Sequence, residues 1–206
     1  FFVGLTGKIL SNLSYNIKVG SKSEEDKPLF IRNASKSNGT NNVVNGFSIL
    51  GYEYGNSFYI YYDDVKTTTF FTELEYDFSK KIAFKLQGVY NQYKMENALE
   101  NWNLPTIEAS LTSTYKNNKW YATSNIFYVS ERKDVLYNDT YPSSIGGIQT
   151  ISSFVDVNLN GGYHFNDKFS AFLKFNNILN TQYQRFANFD TQGFQVLGGI
   201  TYKFDF

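Results

Sequence analysis

Phe194-Gln-Val-Leu-Gly-Gly-Ile-Thr-Tyr-Lys-Phe-Asp-Phe206 decides the fold. Successive side chains on a strand point to opposite faces, so Phe194, Val196, Ile200, Tyr202, Phe204 and Phe206 share one face. Gln195, Thr201, Lys203 and Asp205 share the other. In water, a strand ending on an exposed aromatic edge invites aggregation. The same pattern is at home where the apolar face meets lipid and the edge belongs to a closing barrel.

Composition agrees. Of 206 residues, 17 are Tyr and 20 are Phe, and aromatics reach 19%. Rings at that density need a large core or the lipid band and interfacial girdles of a barrel. Mean hydropathy is only −0.38, and no window nears the roughly 18 apolar residues of a spanning helix. Barrel strands give lipid only every second side chain, so low mean hydropathy is expected of them. The 19 basic and 19 acidic residues cancel and are well mixed, which leaves no electrostatic footprint for nucleic acid. With no Cys, disulfides and thiolate metal sites are excluded. Phe1 to Ile9 lacks the features of a signal peptide and reads as mid-strand, so further sequence is expected to precede it.

Nine alternating segments are predicted, at about 1–10, 12–22, 67–78, 81–94, 106–116, 119–131, 151–165, 168–177 and 193–206. Most reach ten residues, whereas strands of soluble domains average five or six and a tilted membrane strand needs roughly 9–11. Connections alternate between short (10–12, 79–80, 117–118, 166–167) and long (23–66, 95–105, 132–150, 178–192). That asymmetry is expected of short periplasmic turns and long extracellular loops. The expectation is therefore all-β: a transmembrane antiparallel meander barrel, C-terminal portion, spanning 1–206 with a long loop at 23–66. Within that loop, 46–50 and 57–62 are expected to pair around Gly55-Asn56.

Faces follow from alternation. Phe70, Leu74, Tyr76 and Phe78 oppose Glu73, Glu75 and Asp77; Ile82, Phe84, Leu86, Gly88 and Tyr90 oppose Lys85, Gln87 and Asn91. Ile107, Ala109, Leu111 and Tyr115 oppose Glu108, Ser110, Thr112 and Lys116, and Val155, Val157, Leu159, Tyr163 and Phe165 oppose Asp156, Asn158 and His164. In 119–131, Trp120, Ala122, Ile126 and Tyr128 alternate, but Phe127 and Val129 interrupt the polar side.

The run Phe175-Asn-Asn-Ile-Leu-Asn-Thr-Gln-Tyr183, a polar and aromatic loop, and the terminal Gly198-Gly-Ile-Thr-Tyr-Lys-Phe-Asp-Phe206 together resemble the closing two strands of TonB-dependent receptors. Asn177, Asn180 and Tyr183 hold the places of that family's Asn-Leu-Phe-Asn-Lys-Tyr-like element, with Ile178-Leu179 for Leu-Phe. Ile200, Tyr202, Phe204 and Phe206 resemble the signal read by the outer-membrane assembly machinery. The resemblance covers about 150–206. It implies a bacterial outer-membrane location, ligand capture by extracellular loops, and transport coupled to TonB through a plug domain that nothing in these residues matches.

His164 is the sole histidine, so neither a His-rich metal site nor a His-based triad can be assembled; it reads as a rim residue. Glu73, Glu75, Asp77 and Glu108, facing Lys85, Lys116, Lys174 and Lys203, read as cross-strand ion pairs lining a lumen rather than as acid–base catalysts. Asp63-Asp64 offers oxygen ligands for Ca²⁺ but matches no EF-hand spacing. The Asn-X-Ser/Thr matches at Asn33, Asn38 and Asn138 read as accidental. No cofactor is expected and no enzyme, since no nucleophile has a base. Loop aromatics Trp102, Tyr137, Tyr141, Tyr183, Phe186 and Phe189 are candidate contacts for a ligand or partner, or pack loop on loop. Arg132, Lys133 and Asp134, where a strand leaves the membrane, read as headgroup-facing or loop-clamping charges. Expected partners are outer-membrane lipid, the assembly machinery, TonB through a missing plug, and other outer-membrane subunits or lipoproteins. The alternative is a plugless barrel serving as a structural or accessory subunit of a larger outer-membrane assembly.

Overall fold

The computed structural model describes residues 1–33, 43–44, 47–48, 57–137, 145–187 and 189–204. Every element among them is a strand: β1 (Phe2–Leu10), β2 (Leu13–Asn33), β3 (Val43–Val44), β4 (Phe47–Ser48), β5 (Ser57–Asp77), β6 (Ile82–Met95), β7 (Ile107–Lys116), β8 (Trp120–Val129), β9 (Arg132–Tyr137), β10 (Ile145–Ile151), β11 (Phe154–His164), β12 (Phe169–Asn176), β13 (Gln184–Phe186), β14 (Phe189–Asp190) and β15 (Gln195–Tyr202). Nine form one antiparallel meander in the order β1-β2-β5-β6-β7-β8-β11-β12-β15. The other six make three small hairpins inserted in the connections.

Register places the predicted faces in continuous rows. Ile17 pairs with Thr72, Thr72 with Gly88 and Gly88 with Ala109, while Leu74, Leu86, Leu111, Ile126 and Val157 form the next row on the same side. On the opposite side Glu73, Gln87, Ser110, Phe127 and Asp156 are successive partners. The apolar side carries exposed rings and aliphatics, including Phe70, Phe84, Leu86, Val155, Leu159 and Leu173. The wall has no core of its own there. Nearly all the fully buried apolar side chains lie at the long-loop end.

Short-turn chemistry is local. Asn166 Oδ1 accepts from Lys168 N and Phe169 N, Asn117 Oδ1 from Asn118 N, and Ser79 Oγ from Lys81 N and Ile82 N. Asn and Ser favour such turns because their short side chains satisfy backbone donors that no ladder reaches.

Three expectations are corrected. The loop expected at 23–66 is for much of its length two strands, because β2 runs on to Asn33 and β5 starts at Ser57. The charged run Ser23 to Lys27 hid this continuation. A register shift between Glu24 and Lys27, with Asp26 at φ 48°, absorbs it, and alternation then resumes. Residues 57–62 pair with 28–33 of β2 rather than with 46–50; Val43–Val44 pairs with Phe47–Ser48 instead. The last strand is shorter than 193–206, since its ladder with β12 runs from Gln195 to Tyr202; Phe206 lies outside the described residues.

Candidate functional site

Three connections and the β2–β5 arm converge at the long-loop end. Leu29 and Ile31 from β2, Trp102 from the β6–β7 connection and Val135 from β9 form a buried cluster, with Tyr61, Met95, Ala98 and Leu104 packed around it. Trp102 is 3% exposed. Asn103 N donates to Lys133 O at 2.9 Å and Asn103 Nδ2 to Phe30 O at 2.7 Å, so the same connection also bonds to both of its neighbours.

Asp63 anchors the arm. Its carboxylate accepts from Asn97 N, Asn97 Nδ2 and Ala98 N at 2.9–3.1 Å. Burial alone would raise its pKa, but the bonds from Ala98 and Asn97 outweigh burial and hold it below the ordinary aspartate value. Asp64 Oδ1 accepts from Asp26 N at 2.8 Å, which secures the bulge. The pair considered for Ca²⁺ is thus committed to amide donors of Asn97, Ala98 and Asp26.

A second cluster sits on the polar face beneath the loops. Phe154 stacks on Tyr183 with centroids 3.8 Å apart and planes at 7°, and meets Phe127 edge-on at 5.9 Å. Phe127 and Val129, which interrupted the alternation of β8, therefore do face the polar side, where they serve this cluster. Tyr183 Oη donates to Asp156 Oδ2 at 2.8 Å. Burial first, and then the hydrogen bond to Asp156, raises the Tyr183 pKa. Arg132, 6% exposed, donates from Nη1 to Arg185 O and from Nη2 to Gln184 O at 2.6 and 2.7 Å, and stands 5.5 Å from the Phe154 ring centre. Its pKa is lowered by burial and then by Arg185. Arg132 is the clamp that fixes the β13–β14 hairpin over the wall.

The Asn-rich element forms the root of that hairpin. Asn177 and Asn180 adopt φ of 48° and 49°, a left-handed conformation that Asn tolerates better than most residues. Asn177 Nδ2 donates to Thr181 O and Gln192 O, its Oδ1 accepts from Thr181 N, and Asn180 Oδ1 accepts from Phe194 N. Two side chains thereby close both sides of the loop.

Among the other sequence candidates, Phe186 and Phe189 pair across β13–β14 and are half-buried. Tyr137 ends β9, and Tyr141 lies outside the described residues. Ile200, Tyr202 and Phe204 are exposed on the apolar side. His164 is an exposed residue near the short turns, 5.7 Å from the Tyr121 ring. Lys85 bridges Glu73 and Glu75 at 2.8 and 3.0 Å. Asn33 ends β2, while Asn38 and Asn138 lie outside the described residues. Sequence reasoning passed over Phe154 and Asp156 as site residues. The signal available was the aromatic interruption at Phe127 and Val129 of an otherwise polar side.

No protein-family model matches the sequence, and no curated protein matches it. Solved structures do match. The pyoverdine outer membrane receptor FpvA from Pseudomonas aeruginosa PAO1 aligns with a TM-score of 0.69 at 14% identity, over 98% of this chain and 29% of that one. The siderophore receptor PirA from Acinetobacter baumannii gives 0.70 at 12%, over 98% and 31%, and the copper transporter OprC gives 0.65 at 15%, over 98% and 30%. The fold is that of TonB-dependent receptor barrels. The chain spans about three tenths of the length of these structures.

Proposed function

We propose that this chain is the C-terminal barrel portion of a bacterial outer-membrane receptor, multi-pass by its strands, that captures a ligand at its extracellular loops and passes it along the polar wall. One observation carries this reading: all the long connections lie at one end of a nine-stranded meander, where they are packed and clamped over the polar face. Loops built this way hold a contact surface in place. The similar structures are a pyoverdine receptor, a siderophore receptor and a copper transporter, which favours a metal or a metal chelate as ligand and transport rather than catalysis as the activity. Coupling to TonB would run through a plug encoded elsewhere in the longer protein. Ile200, Tyr202, Phe204 and Phe206 would present the assembly signal. None of the similar structures speaks for the accessory-subunit alternative.

The surface assigned to capture centres on Tyr183, Phe186 and Phe189. Trp102 instead packs inside the loop core. The test is uptake of a panel of ferric siderophores and of copper by cells carrying the full-length protein as their sole candidate receptor. One member should be taken up, and Phe186→Ala with Phe189→Ala should reduce its uptake roughly tenfold at unchanged surface level. Uptake of no member, or uptake indifferent to both substitutions, would overturn the proposal.

A further inference from the structure

Two pairs of adjacent glycines, Gly161-Gly162 on β11 and Gly198-Gly199 on β15, flank Phe172-Leu173 of β12. On the polar face the wall covers them. A Cβ added at Gly162 would collide with the Tyr121 ring and one at Gly199 with the Phe172 ring, so these rings stand in for the missing side chains. On the apolar face Leu173 leans over Gly198. Gly161 is left bare there: a Cβ would meet nothing nearer than Tyr121 O at 3.5 Å and the Ala122 Cβ at 4.0 Å. The result is a groove of about 470 Å³ with an almost wholly apolar lining. Ala122 and Gly161 form its floor, Leu159, Leu173 and Phe175 its upper walls, and Trp120 and Tyr163 its lower end.

Three features say what fits it. From Tyr163 to Leu159 the groove runs roughly 14 Å along β11, comparable with half of a hydrocarbon layer of about 30 Å. That is the reach of one leaflet's acyl chain. Its lower end lies in a belt of touching rings, Trp120 on Tyr163 at 4.5 Å, then Tyr163 on Phe165 and Phe165 on Phe169 at 4.9 Å, placed as the interfacial girdle of a membrane barrel is. One register step past the belt, His164 N donates to Lys119 O and Lys203 N to Lys168 O. These four residues sit at exposed strand ends with Asp167 as the acid in the turn between them, and lysine stems are long enough to bring their ammonium groups to headgroup level. We propose that the groove holds one chain of an anionic diacyl phospholipid from the leaflet on the short-turn side, with its phosphate at Lys119, Lys168 and Lys203. A chain seated there has protein on three sides instead of one, and the added dispersion contacts hold it against exchange with bulk lipid. The inference rests on the outer-membrane reading above, in which the apolar face meets lipid and the short turns are periplasmic.

The full-length protein, stripped of lipid in detergent micelles, is examined by native mass spectrometry after addition of dimyristoyl phosphatidylglycerol, dimyristoylglycerol or glycerol phosphate. The wild type should retain one phosphatidylglycerol more tightly than any further copy. Gly161→Leu, which fills the groove without a backbone clash, should lower that occupancy roughly tenfold. Gly88→Leu, in a smaller apolar groove of about 300 Å³ toward the long-loop end, should leave it unchanged. Lys119→Gln with Lys203→Gln should narrow the preference for phosphatidylglycerol over dimyristoylglycerol. No retention by the wild type, or equal retention by Gly161→Leu, overturns the proposal, and so does glycerol phosphate held as tightly as the lipid. Dimyristoylglycerol held as tightly as phosphatidylglycerol overturns the headgroup assignment. A protein dimer that Gly161→Leu abolishes, with no lipid retained, makes a second copy the occupant and overturns the lipid. Unchanged heat-modifiable migration of each variant shows that its barrel is folded. A protein that takes up a chelate but retains no lipid loses only the groove; one that retains the lipid and takes up nothing loses only the receptor reading.

Discussion

The wall and the loop cluster of this molecule are built on opposite principles. In the wall each strand touches only its sequence neighbours, the ladder satisfies the backbone, and the apolar face is left open along its whole length. The loop end buries its apolar side chains and joins residues far apart in the chain, such as Asn103 with Phe30 and Arg132 with Arg185. Within this chain the wall is held by strand pairing, the loops by packing and clamps.

The sharpest way to break this contrast is Trp102→Ala. Emptying so large a buried site costs roughly 3–5 kcal/mol, and the loss should stay local. Limited proteolysis should open the loops, while the barrel melts at its usual temperature; a parallel drop in barrel melting would show that the two regions are one unit. The wall's counterpart is Leu111→Arg or Leu159→Arg, which costs roughly 2–4 kcal/mol near the bilayer midplane. Thr123→Arg, on the polar face between Thr114 and Asn160, should be tolerated better in refolding from urea into lipid vesicles. Equal cost on both faces would sink the assignment. Asn158 is a poor control because its side chain accepts from Asn177 N.

Smaller effects probe the clamps. Arg132→Ala removes two charge-assisted bonds, of a kind worth roughly 1.5–3 kcal/mol, and should raise proteolysis within 184–190 without changing Trp102 burial; unaltered cleavage would remove Arg132 from its role. Tyr183→Phe loses a single bond to the Asp156 carboxylate, roughly 1.5 kcal/mol at the low end for a charged acceptor, and keeps the stack on Phe154. Asp63 gives a pH test. Because its folded pKa lies below 3.8, its contribution is complete at neutral pH and disappears as the pH falls below 3.8 through the folded value. Loop protection should fall over that range and should do so less steeply in Asp63→Asn; identical acid profiles would assign the loss to another group.

Most of the wall was legible because period-two alternation is a local property. Leu74, Leu86, Leu111 and Leu159 declare their face within their own strands. The arm was not legible, because Glu24, Glu25, Asp26 and Lys27 look like a solvated loop until the bulge between Glu24 and Lys27 is known. The clamps were partly legible. The Asn177 and Asn180 spacing marked a motif, and Arg132 stood at a strand exit, yet their partners at Gln192, Phe194, Gln184 and Arg185 are set by a fold no local window contains. Phe127 and Val129 looked like noise for the same reason: their explanation is Phe154, on the next strand of the sheet.

The β2–β5 arm has a mechanical consequence. Each of its strands has 21 residues, roughly 70 Å if extended, against a hydrocarbon layer of about 30 Å. In a receptor of the proposed kind the same two ribbons would cross the membrane and project well beyond it, as a cantilever rooted in the wall. Its elbow is the bulge at Asp26, and Asp63 is the pin that fixes the root to the neighbouring connection. A load applied at the tip would be felt first at that elbow, and then along the rest of β2 and β5.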